Sequence, residues 1–353
     1  MVIRNLNLQD FRSFRKKKIN FDEKTTVIVG SNASGKTNIL ESVNLLSTGK
    51  SFHAGREEEM IRNGQELGRV SGQLTVDSER QDLEIILTRG ELNGERVARK
   101  KLSVNGVGKM LFNFAGVLKT VLFGPWDLEL VSGSPGFRRR FLDTVLSQVD
   151  REYRRAILSY EKGIRQRNKL LERIREGEAS PSQLLFWNQL VIKNGDYISS
   201  RRADLIGFFN DTGSLGNEAI NAEYDNSPIS EKRFEQYAVQ EIASATTLVG
   251  PHRDDFIVKT RKRKQKIERN LAIYGSRGEQ RMGVLWLKLA ELSFVEKHSQ
   301  TRPVLLLDDI FSELDHEHRD VVISTVGRQQ TIITTADPHT VQGWRKIGQF
   351  LEL

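Results

Sequence analysis

The chain has 353 residues, of which 38% are hydrophobic and 28 are glycine, a composition that suits a folded core and excludes wholesale disorder. Its net charge of +8 favours polyanionic partners such as nucleic acid. The absence of cysteine excludes disulfides, thiol nucleophiles and cysteine-ligated metals. No apolar run reaches the ~18 residues of a membrane helix, and no secretory signal opens the chain, so a cytoplasmic protein without membrane association is expected.

The first part of the chain predicts strands around one helix. Residues 2–11 alternate as a strand does, and Thr25–Gly30 is a short apolar strand that ends in a glycine-rich turn. Apolar residues at helical spacing follow that turn. Residues 67–123 then contain several strand-like runs, which predict an antiparallel sheet that accompanies a nucleotide site.

The middle of the chain is helical. Apolar residues three or four apart predict one long helix over residues 137–176, and a second over about 184–210. Two long helices joined by a short loop predict a hairpin arm. Residues 211–228 are expected to form a loop or an edge strand, and Glu231–Ser244 a third helix.

The strand pattern returns near Asp254 with the runs DDFIVKT and KIERNLAIYG. The remaining predicted elements are a helix, a strand, a helix and a strand at Ser276–Glu296, Pro303–Leu307, Asp315–Val326 and Thr331–Thr335. Both ends of the chain therefore have α/β character. We predict a head domain built from residues 1–124 and 248–353, with residues 125–247 inserted as a helical arm.

Residues Gly30–Thr37 read GSNASGKT, a complete match to the Walker A phosphate-binding loop between a strand and a helix. The backbone N–H groups of such a loop face phosphate oxygens, Lys36 reaches the β- and γ-phosphates, and Thr37 coordinates Mg²⁺. The predicted nucleotide ligands in and beside this loop are Gly30, Ser31, Asn32, Ala33, Ser34, Gly35, Lys36, Thr37 and Asn38.

Residues Val304–Asp309 read VLLLDD, an apolar strand that ends in two carboxylates. In P-loop enzymes the first carboxylate, here Asp308, holds Mg²⁺ opposite Thr37. The second, Asp309, stands where a carboxylate would position water or act as a general base. A plain strand followed by a helix-capping aspartate is the alternative, which the nucleotide loop disfavours.

The segment YGSRGEQR predicts a second phosphate-binding helix start, opened by Ser276 and Gly278. One nucleotide rarely needs two such starts from one chain, so this one is expected to close onto the ATP of a neighbouring protomer and to act in catalysis with Lys36, Asp308 and Asp309. An ordinary capping box, with Glu279 three residues after Ser276, is compatible with the serine.

Together these motifs resemble an ABC-type ATPase head of the SMC-like kind. The chain resembles more closely the RecF family of bacterial recombination mediators, through four motifs in the family's order: FRSF near the N-terminus, GSPGFRRRFLD, VGPHRDDF and LLLDDIFSELD. The two middle motifs are far more specific than Walker A. The resemblance implies an α/β P-loop ABC-type ATPase head built from both chain termini, with an inserted helical arm.

The resemblance also implies ATP and Mg²⁺ as cofactors and an ATP-dependent homodimer that grips DNA at gaps or single-/double-strand junctions. It implies that Ser276 and Gly278 touch the γ-phosphate of the opposite protomer, that Arg12 lies close to the nucleotide, and that Asp315 belongs to a loop crossing the dimer interface. The implied protein partners are RecR, RecO and RecA, whose loading the family promotes.

Three positions depart from the patterns of related ATPases. Ala33 replaces a glycine of the phosphate-binding loop, and Trp126 stands where an acidic residue is usual. Ala336 stands where ABC transporters carry a histidine, and its side chain cannot hydrogen-bond a phosphate. With Asp rather than Glu at position 309, we predict slow ATP hydrolysis, which suits a timed clamp.

Two segments hold much of the positive charge. Residues 136–176 contain twelve Lys or Arg against six Asp or Glu, and residues 259–269 contain seven against one. A basic hairpin at Lys259–Lys266 could meet DNA phosphates, although a solvated turn has the same composition.

Two further residue groups invite a functional interpretation. Arg138–Arg140 could support the junction of arm and head by pairing with Asp127 or Asp143. His252 beside Arg253 and two aspartates is interpreted as part of a structural turn network and is given no catalytic role.

Two other classes of protein share parts of this pattern. The ATPase subunit of an ABC transporter would need a glutamine-containing coupling loop and a short helical subdomain, whereas this chain has a long charged hairpin and Ala336. A nucleotide-gated scaffold that binds protein and not DNA would not need the two basic segments. The favoured prediction is a slow, ATP-gated DNA-repair clamp.

Overall fold

The computed structural model describes residues 1–213, 215, 218–262, 268–312, 316–337 and 348–353. The chain divides into two compact units, the first made of Met1–Asp127 with Glu291–Leu353 and the second of Leu128–Ala290. Within these described ranges, none of the helices combines the length and the apolar character needed to cross a bilayer.

The strands in chain order are β1 (Val2–Phe11), β2 (Phe14–Asn20), β3 (Thr25–Val29), β4 (Leu67–Val76), β5 (Glu79–Thr88), β6 (Glu91–Leu92), β7 (Glu95–Arg96), β8 (Lys100–Val104), β9 (Val107–Lys109), β10 (Thr120–Phe123), β11 (Glu218–Asp225), β12 (Asp255–Lys262), β13 (Arg269–Asn270), β14 (Val304–Asp308), β15 (Thr331–Thr335) and β16 (Gln349–Glu352). The α-helices are α1 (Lys36–Thr48), α2 (Leu111–Phe114), α3 (Glu129–Ser132), α4 (Pro135–Val149), α5 (Arg151–Arg175), α6 (Leu184–Asp211), α7 (Glu231–Ser244), α8 (Leu271–Tyr274), α9 (Arg277–Ser299) and α10 (His316–Thr325).

The first unit contains an antiparallel sheet of six strands in the order β2-β1-β4-β5-β8-β9. Alternation along its strands places one face in the core, since Leu6 and Leu8 of β1 are buried. The antiparallel sheet that the strand-like runs predict is therefore present. The last predicted run is an exception, because β10 belongs to a different sheet.

The second sheet of this unit is parallel, in the order β10-β14-β15-β3-β16. The strands β14, β15 and β10 are buried throughout, as expected for parallel strands covered on both faces. Because β15 lies between β14 and β3, the carboxyl ends of all three strands meet at one edge of the sheet. That edge brings together the residues that follow β3 and those that end β14.

The second unit contains the helical hairpin of α5 and α6. Gly163 of α5 lies so close to α6 that a Cβ atom there would come within 2.7 Å of Leu190 and Val191. The single helix predicted over residues 137–176 is wrong, because Asp150 has an extended backbone between α4 and α5. Its carboxylate accepts a hydrogen bond from the Tyr153 N–H group and so caps α5.

The compact units differ from the predicted domains in two segments, of which the shorter, residues 125–127, belongs to the first unit and not to the arm. Residues 248–290, which the sequence assigns to the head, pack within the second unit. The reason is that β12 pairs along its whole length with β11 in a three-stranded antiparallel sheet that ends with β13. The run LAIY forms helix α8 and not a strand, because Asn270 accepts a hydrogen bond from the Ala272 N–H group and caps it.

Candidate functional site

The phosphate-binding loop joins β3 to α1, as the motif predicts. Gly35 immediately before α1 has a φ of 99°, a left-handed conformation that favours glycine, and a Cβ atom there would come within 2.7 Å of the Phe14 ring. Ala33 also has a positive φ, of 66°. The departure at Ala33 therefore places a side chain where the backbone favours glycine, at a cost of roughly 1 kcal/mol.

Two side chains of the loop are arranged for an anion. Lys36 is buried, and its Nζ atom donates to the carbonyl oxygens of Gly30 and Ser31 at 2.7 and 2.8 Å. The Ser34 Oγ atom is buried and has no hydrogen-bond partner among the residues that the structure describes. A cation held by weak carbonyl acceptors and a hydroxyl without a partner fit a phosphate group that both would bond.

The Walker A motif and the acidic end of β14 meet at Thr37 and Asp308. The Thr37 hydroxyl donates to Asp308 Oδ2 at 2.8 Å, although 271 residues separate them in the chain. The other carboxylate oxygen, Oδ1, accepts a hydrogen bond from the Thr334 hydroxyl at 2.5 Å. A hydroxyl and a buried carboxylate are the oxygen ligands that Mg²⁺ prefers, so these two residues fit the ion that the motifs imply.

Asp309 follows Asp308 directly at the end of β14. Its backbone has a φ of 49°, and its N–H group donates to the Thr334 carbonyl oxygen at 3.1 Å. Ala336 follows β15 at the same edge of the sheet and is half-buried. The structure thus brings the second carboxylate to the carboxyl edge of the sheet that carries the nucleotide loop.

The tip of the β1–β2 hairpin also lies against this loop. The Arg12 guanidinium forms a bidentate ion pair with Glu41 of α1, at 2.8 and 2.6 Å, and donates to the Glu59 carbonyl oxygen at 2.9 Å. Ser13 accepts a hydrogen bond from the Asn38 side-chain amide at 3.0 Å. Arg12 is thus fixed beside the Walker A helix, and Glu41, which fixes it, was not predicted.

Ser276 forms the capping box at the start of α9. Its Oγ atom accepts from the Glu279 N–H group at 3.2 Å, and its own N–H group donates to Glu279 Oε2 at 2.8 Å. Arg269 holds the other carboxylate oxygen of Glu279 at 3.1 Å. Ser276 and Gly278 are both exposed. The capping alternative is therefore realised, and contact with a second protomer's nucleotide stays a prediction.

The two most specific sequence motifs are joined to each other in the second unit. Arg138 forms a bidentate ion pair with Asp255, at 2.6 and 2.8 Å, and Arg139 donates to the Asp254 carbonyl oxygen at 2.8 Å. The sequence predicts that the Arg138–Arg140 run pairs with Asp127 or Asp143. For Arg138 that prediction is wrong, because its partner is Asp255, and Asp143 is held by Arg202 at 2.8 Å.

His252 belongs to the same buried region. Its Nδ1 atom lies 2.7 Å from the Tyr160 hydroxyl and its Nε2 atom 2.9 Å from the Thr247 carbonyl oxygen. Burial lowers the pKa of His252 to about 4, although the hydrogen bond to Thr247 opposes the shift. These contacts support the interpretation as a structural turn network.

Several other predicted residues have simpler surroundings. Trp126 stacks on Phe52 with ring centroids 4.7 Å apart, which gives the unusual tryptophan a packing role. Lys259 forms an ion pair with Glu223 across β12 and β11. Residues 263–266 of the Lys259–Lys266 segment, and Asp315, lie outside the described residues.

Comparison with known proteins identifies the family. Residues 2–350 match the family model described as the RecF/RecN/SMC N terminal domain. The DNA replication and repair protein RecF of Thermomicrobium roseum is 33% identical over 386 aligned positions, which cover 97% of this chain and 95% of that protein. Its counterpart from Herpetosiphon aurantiacus is 35% identical over 368 positions, which cover 96% and 94%. The chain belongs to the RecF family.

Solved structures agree with this assignment. The structure of the recombination mediator protein RecF with ATP in the RecFOR pathway has a TM-score of 0.85 and 28% identity, covering 95% of this chain and 92% of that one. An SMC head bound to the C-winged helix domain of ScpA, at 16% identity and a TM-score of 0.51, shares the fold alone. The predicted RecF resemblance and the ABC-type ATPase fold are confirmed.

Proposed function

We propose that this RecF-family chain binds and slowly hydrolyses ATP, and that ATP joins two protomers into a clamp on DNA during recombinational repair. The observation that carries the proposal is the 2.8 Å contact between Thr37 and Asp308, because it joins the nucleotide loop to the acidic strand at one edge of a parallel sheet. The related structure named for RecF and ATP supports ATP as the nucleotide.

The residues of the loop would hold the triphosphate. Lys36 would exchange its two carbonyl acceptors for phosphate oxygens, a stronger charge-assisted interaction, and Ser34 would gain an acceptor. Thr37 and Asp308 would hold Mg²⁺, which neutralises phosphate charge when bound. Asp309 would orient the attacking water and accept its proton. Arg12, fixed by Glu41, would add positive charge close to the nucleotide.

A second protomer would complete the site. Ser276 and Gly278 are exposed at the start of a helix of 23 residues, whose N-terminal N–H groups favour a phosphate. We infer that this helix start meets the γ-phosphate bound by the partner, so that ATP holds the dimer together and hydrolysis releases it. The predicted rate is slow because an aspartate occupies position 309.

The proposed partners follow from family membership. Relatives are named as DNA replication and repair proteins and as a recombination mediator in the RecFOR pathway. We propose that this chain grips DNA at gaps or junctions, works with RecR and RecO, and promotes the loading of RecA. Its proposed location is the cytoplasm, where these partners act.

The test is the mass of the protein in solution, measured by light scattering without nucleotide, with ADP–Mg²⁺ and with ATP–Mg²⁺. A gapped duplex is added to parallel samples. We expect a monomer without ATP, a dimer with ATP, and a larger dimer fraction with the duplex. Lys36→Ala is the matched control and should stay monomeric in every condition. A wild-type protein that stays monomeric with ATP and duplex would contradict the clamp.

A further inference from the structure

Strand β2 carries four consecutive cations, Arg15–Lys18, along an edge of the six-stranded sheet. The side chains of Arg15, Lys16 and Lys18 are exposed, and Lys17 is half-buried. In the described part of the chain, none of the four has an ion-pair or hydrogen-bond partner for its side chain. Since alternate residues of a strand share a face, Lys16 and Lys18 project together on one face of this edge, and two positive charges without counter-ions from the protein attract a polyanion there.

A cleft of 420 Å³ opens at the start of this strand. It is lined by Gln9, Asp10, Arg15, Lys16, Arg62 and Gln65. Three cations face one carboxylate in this cleft, and Asp10 is only loosely paired, since its distance to the Arg62 guanidinium is 3.8 Å. The two glutamine amides add uncharged donors. This mixture of cations and amides suits phosphate oxygens, which accept hydrogen bonds from both.

The neighbouring strands extend the same polar surface. The register places Lys16 of β2 opposite Gln9 of β1, and Gln9 opposite Arg69 of β4. These three side chains form a row across three strands, with adjacent strands about 4.8 Å apart. The next row is Lys18, Asn7 and Ser71. Both rows lie on the face opposite Leu6 and Leu8, so they face away from the apolar core.

We propose that β2 and its cleft bind the sugar–phosphate backbone of duplex DNA. The inference rests on the proposed function, because DNA is the polyanion that the clamp would hold. It adds which surface of the head would hold the DNA. Contacts of this kind fix position without reading sequence. Lysines on an edge strand also prevent edge-to-edge pairing of sheets, which is the competing explanation. That explanation needs neither the cleft nor Arg62.

The test compares two double variants that each remove two exposed positive charges. Lys16→Gln/Lys18→Gln changes the proposed surface, and Lys193→Gln/Lys232→Gln changes exposed lysines of α6 and α7. Binding of a labelled duplex is followed by fluorescence anisotropy over a range of salt concentrations. We expect the β2 variant to bind roughly ten- to a hundredfold more weakly near 0.1 M salt, with a salt slope lower by about 2. The control should match wild type.

A second measurement uses the wild-type protein alone. Acetylation of surface lysines, read by mass spectrometry, should slow at Lys16 and Lys18 when duplex is added and stay unchanged with inorganic phosphate. If wild type binds duplex and the β2 variant has the same affinity and salt slope as wild type, the assignment of DNA binding to this surface is overturned and the proposed function stands. Aggregation of that variant with unchanged affinity assigns the lysines to edge protection and also overturns it. If wild type binds no duplex, the proposed function fails as well.

Discussion

Arg12 and Glu41 form a bidentate ion pair that ties the tip of the β1–β2 hairpin to the helix after the phosphate-binding loop. The Glu41 side chain is 1% exposed and also accepts a hydrogen bond from Ser51 at 2.5 Å. The guanidinium is therefore held in place by the protein's own side chains. Such preorganisation lowers the cost of placing a charge beside a phosphate.

The first prediction separates the structural part of this ion pair from its part in binding. Arg12→Ala leaves the Glu41 charge buried without its cation, so it should lower the free energy of unfolding by about 3 kcal/mol. The double variant Arg12→Ala/Glu41→Gln removes that charge and should regain much of the stability. Arg12→Ala should weaken ATP binding, measured by calorimetry. The double variant should bind ATP equally weakly, because it also lacks the guanidinium. Full ATP affinity in the stable double variant would contradict a role for Arg12 at the nucleotide.

The structural and binding roles of Ser276 can be separated in the same way. Capping needs a side-chain acceptor, whereas contact with a γ-phosphate excludes a negative charge. Ser276→Asp keeps a good N-cap and should leave thermal stability within about 0.5 kcal/mol of wild type. Its negative charge would repel a γ-phosphate, so ATP-dependent dimerisation should be lost, as it should in Ser276→Arg. Mass in solution with ATP–Mg²⁺ decides. A dimer that persists in Ser276→Arg would refute contact with the partner's nucleotide.

Substitutions of the two carboxylates at the end of β14 should have different effects on hydrolysis and dimerisation. Asp309→Asn removes the proposed base but keeps the proposed metal ligands, so hydrolysis should fall by ~10²–10⁴-fold while the ATP dimer persists longer. Asp308→Asn weakens the oxygen ligand set and should reduce both hydrolysis and Mg²⁺-dependent dimerisation. Phosphate release and solution mass report the two effects. A wild-type turnover of many ATP per second would contradict the slow clamp.

Helices and strands that depend on neighbouring residues in the sequence could be predicted from apolar spacing and capping residues. Helix α7 begins at Glu231 and ends at Ser244, as its apolar spacing and the Ser230 cap require. The break at Asp150 was missed because apolar residues keep helical spacing across it, and only the aspartate's capping hydrogen bond reveals it. Strand β16 was also missed, because its partner β3 lies at the other end of the chain.

The same distinction applies to the site. The Walker A loop, Thr37 and Asp308 could be predicted because each motif carries its own spacing and its own chemistry. Glu41 could not, since it lies 29 positions from Arg12 and only the folded hairpin brings them together. A carboxylate inside the apolar run of α1 was the one signal available. Likewise, the partnership of Arg138 with Asp255 spans 117 positions.

The ion pair between Arg202 and Asp254 should contribute strongly to the stability of the second unit. Their side chains are 2% and 0% exposed and 2.9 Å apart. Burial opposes the charge of Arg202, but Asp143 and Asp254 outweigh it and keep its pKa well above its usual value. Asp254→Asn should therefore cost about 3–5 kcal/mol in urea unfolding. Asp255→Asn, at a more exposed pair, is the control and should cost less. Equal losses of unfolding free energy in the two variants would contradict a larger contribution from Asp254 than from Asp255.

The last prediction concerns pH and His252. In the folded protein its Nδ1 atom faces the Tyr160 hydroxyl. Burial raises the pKa of Tyr160, so the hydroxyl stays protonated and donates a hydrogen bond to the neutral ring. Burial lowers the pKa of His252 from 6.5 to about 4. Between these two values the unfolded chain binds more protons than the folded one. Stability from this residue is therefore complete above pH 6.5 and is lost progressively as the pH falls towards 4.

The expected loss is about 2 kcal/mol at pH 5 relative to pH 7, approaching about 3 kcal/mol below pH 4. His252→Gln is the matched variant, because its amide can donate to Thr247 and accept from Tyr160 but does not titrate in this range. Urea unfolding of both proteins at pH 7 and pH 5 isolates the histidine, since the other acidic groups contribute equally to each. Wild type should lose more stability than His252→Gln on acidification. Equal losses in the two proteins would show that the buried ring is not the group that senses this pH range.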